Sequence, residues 1–161
     1  MKLRRHSLLP DEARATLPLE RGEKVIAAAR DVHDGWVVAT AVALVAADGR
    51  TPWTDVAHAQ WFDEDLVLVV DLVPGAGASR RHRLADPGRV PETVHERVMS
   101  SIVLSRRVAL PGGGAVRLVA RRGDGTDLEW QVVPDQGTDL ADPAVRAAVD
   151  DALDRLRSEL G

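Results

Sequence analysis

Four groups of side chains in this sequence have types and spacing that bear on chemistry. Arg80, Arg81, His82 and Arg83 form its densest basic run. Guanidiniums on alternate residues of a strand lie about 7 Å apart along it. At that distance two planar forks can clamp one phosphate through charge-assisted hydrogen bonds. The same run has a simpler use, because charge on an edge strand prevents mispairing with another sheet. Asp31, His33 and Asp34 are possible metal ligands by type. They sit in a turn ended by Gly35, however, where carboxylates ordinarily bond local backbone. His58, with Asp55 nearby and Ser100 or Ser101 far downstream, supplies the letters of a hydrolytic triad. No G-x-S-x-G elbow accompanies them. Trp53, just after Pro52, has the type of a partner-anchoring residue. Like Trp61 and Trp130, it also suits a space-filling role against a sheet.

The glycine stretches 74–79 and 111–114 read as plain connections. The first lacks the lysine and the following helix of a phosphate loop, and the second precedes a strand.

The elements that must position these residues begin with Gly35 to Val73. Trp36 to Val45 is a β-branched apolar run without proline, read as one strand. Asp48-Gly49 is a hairpin turn signal. Val56 to Trp61 follows as a strand, and 62–65 turns the chain again. Leu66 to Val73 is almost wholly apolar and reads as a central strand. Links this short require antiparallel neighbours. Lys24 to Arg30 is expected as the first strand, and Arg80 to Ala85 as a strand whose basic residues mark an edge or an exposed face. Asp11 to Leu17 can form a short helical turn.

Pro91 opens a predicted helix whose apolar positions Val94, Val98 and Ile102 recur every four residues, with Met99 and Val103 beside them. It is expected to run to Arg107. Ala115 to Arg121 and Leu128 to Val133 then read as a hairpin around a turn at 123–126. Asp142 and Pro143 start a final helix with Val145, Val149, Ala152, Leu156 and Leu160 along one stripe.

A chain of 161 residues suffices for one domain with a real core. Two boundaries are expected, an N-terminal extension over 1–22 and a single domain over 23–161. Net charge of −4 argues against a general nucleic-acid binder. The absence of cysteine excludes thiol chemistry, disulfides and cysteine-ligated zinc. Lys2 and Lys24 are the lysines among 21 basic residues, which reflects base composition more than chemistry. The basic start of the chain lacks the apolar core of a signal peptide, and no run approaches the about 18 apolar residues of a membrane span. A cytoplasmic protein is expected.

Strands, a helix, a hairpin and a terminal helix resemble the pleckstrin-homology-like superfold. GWVVAT (35–40), TPWTDVAHAQW (51–61), VPETVHERVMSSIV (90–103) and DPAVRAAVDDALDRL (142–156) resemble a family of uncharacterised actinobacterial proteins with such a domain. The resemblance covers roughly residues 10 to 160 and implies no catalytic residue and no cofactor. It implies an α+β fold, with an antiparallel meander shaped as a partial barrel, an internal helix and a C-terminal amphipathic helix. The helix expected before the last two strands departs from the simple superfold, so a two-layer sheet with both helices on one face is the alternative. Some members of the superfold bind phosphorylated head groups. The reading is therefore a non-enzymatic binding or interaction module, taking a protein partner or a phosphorylated ligand through Arg80, Arg81, Arg83 and Trp53. A small hydrolase using His58 is the alternative.

Overall fold

The computed structural model describes residues 9–122 and 127–160. The expected turn at 123–126 and the basic first eight residues lie outside them. Internal contacts divide the chain after Ser101 into two compact units. Where the sequence reading drew a boundary at 22, the contacts draw one inside the segment expected to be helical.

The first unit contains α1 (Asp11–Thr16), β1 (Val25–Asp31), β2 (Trp36–Thr40), β3 (Ala43–Ala46), β4 (Gly49–Pro52), a 3-10 turn (Trp53–Asp55), β5 (Val56–Phe62), β6 (Val67–Leu72), β7 (Arg80–Asp86) and α2 (Val90–Ser101). Its seven strands form an antiparallel sheet in the order β4-β3-β2-β1-β7-β6-β5. The two edge strands are consecutive in sequence, joined only by the 3-10 turn. A flat sheet of this width would hold its edges about 29 Å apart. The link from Pro52 to Val56 spans at most about 14 Å. The sheet must therefore curl, and irregularities in the ladders of β1 and β5 bend it further. Because β4 and β5 do not pair, the barrel is not closed.

Four sequence expectations change here. The strand Val56 to Trp61 was expected to pair with the run before Asp48-Gly49, but β4 takes that place beside β3 and β5 lies at the opposite edge of the sheet. The run Trp36 to Val45 is two strands, because the Thr40 hydroxyl accepts the N–H groups of Val42 (3.2 Å) and Ala43 (3.0 Å). That side-chain turn needs neither glycine nor proline. The basic strand β7 is not an edge: its first half pairs with β6 and its second half with β1. Leu84, fully buried in the core, holds it there. Finally, α2 ends at Ser101 rather than Arg107. The Ser101 hydroxyl bonds back to the Val98 carbonyl (2.7 Å), and the β-branched residues Ile102 and Val103 start a strand. Met99 is 56% exposed and lies off the buried stripe of Val90, Val94 and Val98.

That stripe packs into the hollow of the sheet, against Val37, Leu44, Val56, Leu68, Val70 and Leu84. Ala27 and Ala29 on β1, and Ala39 on β2, are also buried there, and their small side chains leave room for the helix. A second cluster lies apart from this core. Leu9, Ala13 and Leu17 cover Val38, Ala43 and Val45, so the N-terminal segment from residue 9 onward is packed on the sheet.

The second unit contains β8 (Ile102–Ala109), β9 (Ala115–Arg122), β10 (Leu128–Pro134) and α3 (Pro143–Leu160). Its three antiparallel strands run in the order β10-β9-β8. The Asp142 carboxylate accepts the Ala144 N–H at 2.9 Å, the cap that the sequence announced. Val145, Val149, Ala152 and Leu156 of α3 pack with Val116 and Leu118 of β9. Trp130 and Val132 of β10 border this core, and the Arg157 guanidinium lies 6.0 Å from the Trp130 ring centre. The fold is thus α+β, with an antiparallel meander, an internal helix and a C-terminal helix. No helix among the described residues is long and apolar enough to cross a membrane.

Candidate functional site

Pairing of β5, β6 and β7 decides which of the suspected residues share a surface. Arg81 lies opposite Val69 and Arg83 opposite Val67. Both arginines are exposed, on the sheet face turned away from α2. Arg80 and His82 alternate with them and point to the other side. There the Arg80 guanidinium sits 3.4 Å from the Asp48 carboxylate. Burial lowers the pKa of His82, and Arg80 adds to this, while Asp48 and Asp31 oppose it. The four-residue basic run is thus split, and only Arg81 and Arg83 present charge on one open surface.

The other candidates resolve into local structure. Asp31 Oδ1 accepts the N–H groups of His33 (2.8 Å) and Gly35 (2.9 Å), closing a turn in which Asp34 has a φ of 62°. This is the local use of a turn carboxylate. No group of three potential metal ligands converges among the described residues. His58 is near Asp71, not Asp55, with Nδ1 at 3.8 Å from Oδ2. Ser79 donates to the other oxygen of Asp71 at 2.7 Å. The carboxylate therefore stands between hydroxyl and imidazole, whereas a triad needs the imidazole in the middle to take the hydroxyl proton. Ser100 and Ser101 donate to helix carbonyls of α2. Trp53 is 4% exposed, and its indole N–H donates to the Thr40 carbonyl at 2.9 Å. It is a core residue, so the surface-anchor role considered for it is corrected: its side chain has no surface to offer a partner.

The sequence reading missed a groove of about 430 Å³ between the sheet edge and α2. Ala59 and Trp61 of β5 and Leu68 of β6 form its sheet side. Pro91, Glu92, His95 and Glu96 of α2 form the helix side. The helix residues recur at one-turn spacing beside the buried stripe, so their neighbourhood was legible. Their placement opposite Trp61 was not, because it depends on the curl of the sheet. Among the described residues β5 pairs with β6 alone, which leaves the backbone groups of its other edge outside the ladder, and its Ala59 and Trp61 line this groove. Comparison with family models, curated protein sequences and solved structures returned no match for this chain.

Proposed function

We propose that the first unit is a non-enzymatic binding module that takes an extended peptide segment along the unpaired edge of β5. One observation carries this reading: the edge strand borders an apolar groove walled by a helix. A ligand strand can add to the ladder through main-chain hydrogen bonds while alternate side chains enter the groove. The resemblance to pleckstrin-homology-like proteins agrees with this reading. Nuclear magnetic resonance titration of the full chain with extended nine-residue peptides tests the proposal. Shifts are expected for the amides of β5 and for α2 residues at the groove. Ala59→Phe, which fills the groove, should weaken binding at least about tenfold, or 1.4 kcal/mol. Unchanged binding by a folded Ala59→Phe variant would overturn it.

A second reading is favoured by Arg81 and Arg83 alone, two exposed guanidiniums on one face of β7. They would hold a phosphorylated ligand by bidentate hydrogen bonds. The chain carries a net charge of −4, so such binding gains nothing from long-range steering and must be local and salt-sensitive. Titration with inositol hexakisphosphate at low and high salt is expected to show binding that the Arg81→Ala/Arg83→Ala variant loses. Equal affinity of variant and wild type would leave the pair as a solvated face.

A further inference from the structure

We infer that the segment docked at β5 presents a cationic side chain, lysine or arginine, to Trp61, Glu92 and Glu96. This rests on the docking proposed above and adds the chemistry of the occupant. The lining of the groove is apolar at Ala59 and Leu68 on the sheet side and at Pro91 on the helix side. Such a lining suits the methylene stem of a long basic side chain whose charged head stays near water. The half-buried Trp61 supplies the wall, and an indole face is the best aromatic partner for a cation. Its N–H donates to the Asp63 carboxylate, 3.3 Å away, which places a further negative group beside the ring.

The rim is acidic. Glu92 and Glu96 are both exposed and lie one helical turn apart, a like-charge spacing that slightly destabilises an unliganded helix. A cation between them relieves that repulsion. The guanidinium of Arg89 already lies 3.6 Å from Glu92. That pair is largely exposed and therefore weak, so a ligand group can replace it. The exposed run Asp63-Glu64-Asp65 at the end of β5 adds negative potential at the same mouth. The N-terminal end of α2 acts the other way, with about half a positive charge. Two carboxylates on the rim outweigh it. A phosphorylated or acidic segment would meet repulsion here, which separates this site from the arginine face of β7.

The test uses the full chain and three nine-residue peptides with serine and threonine flanks, identical except for a central lysine, norleucine or glutamate. The lysine peptide is expected to bind at least about tenfold more tightly than the norleucine peptide, and to weaken with salt. It should shift the Trp61 indole N–H resonance. Glu92→Gln/Glu96→Gln should bring the ratio of lysine-peptide to norleucine-peptide affinity close to one. Equal binding of lysine and norleucine peptides at β5 would overturn the cationic assignment and leave edge docking intact. Lysine preference that survives the double substitution would also overturn it. No binding by any peptide would remove both readings.

Discussion

Replacing Trp53 with alanine is expected to lower the stability of the first unit by about 3–5 kcal/mol, one of the largest effects available to a single substitution here. Trp53 is 4% exposed in the principal core, inside the short link that brings the two sheet edges together. Its indole N–H donates to the Thr40 carbonyl at 2.9 Å and its backbone N–H to the Val42 carbonyl at 3.2 Å. These two acceptors lie at the end of β2 and inside the β2–β3 turn, so one residue ties the link to the turn. Truncation leaves a void and also takes the indole donor from a buried carbonyl. Trp53→Phe keeps most of the volume and loses only the side-chain hydrogen bond, so it should cost about 1–3 kcal/mol. Urea unfolding of the three proteins, compared by midpoint at constant slope, measures both effects. An alanine variant within about 1 kcal/mol of wild type would show that the link does not hold the curl.

Features encoded by neighbouring residues were legible in the sequence. Alternation marked β5 and β10, Asp142-Pro143 marked the start of α3, and Asp48-Gly49 marked a hairpin turn, though its second strand is β4 and not Val56 to Trp61. The α+β class followed from these. Features that depend on competition between distant partners were not legible. Val94, Val98 and Ile102 fit a helical period, yet Ile102 to Ala109 pairs with β9 and leaves the helix. Ser101 and the β-branched Ile102 and Val103 lean toward a break, but the partner that decides for the strand begins at Ala115, outside 91–107. The break after Thr40 was hidden for another reason: a hydroxyl makes that turn without the usual turn residues.

The candidate site divides in the same way. Alternation correctly put Arg81 and Arg83 on one face and Arg80 on the other. The density of charge suggested an edge or an exposed face, and the second holds: β7 is internal in the strand order and carries Arg81 and Arg83 on its exposed face. Arg80, on the inward side, is accommodated by an ion pair with Asp48 from the β3–β4 turn, 32 residues earlier in the chain. The helix side of the groove was legible as neighbouring positions of α2, but its pairing with Ala59 and Trp61 was not. The groove exists because β5 became an edge beside α2, and only the strand order determines that.

The N-terminal segment supplies the second large expected effect. Glu23→Ala should destabilise the first unit by about 3–5 kcal/mol, the range for removing one partner of a buried ion pair. The Glu23 side chain is 4% exposed. Arg50 grips both of its oxygens: Nη1 donates to Oε1, and Nη2 to Oε2 at 3.0 Å. Thr40 donates to Oε2 at 2.6 Å and the Glu20 backbone N–H to Oε1 at 2.9 Å. Arg50 also reaches the Pro18 carbonyl at 3.0 Å, so the pair fastens residues 18–23 to β4 and to the β2–β3 turn. Truncating the carboxylate strands a guanidinium that is only 23% exposed. Replacing both partners with methionine should cost much less than the sum of the single changes, since neither charge is then left alone. Acid adds an independent test. Burial raises the pKa of Glu23, but the hydrogen bonds from Arg50, Thr40 and Glu20 and the charge of Arg50 outweigh it, and the net shift is downward from 4.5. A carboxylate with a depressed folded pKa contributes stability that is fully present above its unfolded value and is lost as pH falls through the folded one. Wild-type stability should therefore fall more steeply below about pH 4.5 than that of Glu23→Gln, which has no charge to lose at this position. Identical acid slopes for the two proteins would show that this pair does not hold the N-terminal segment against the sheet.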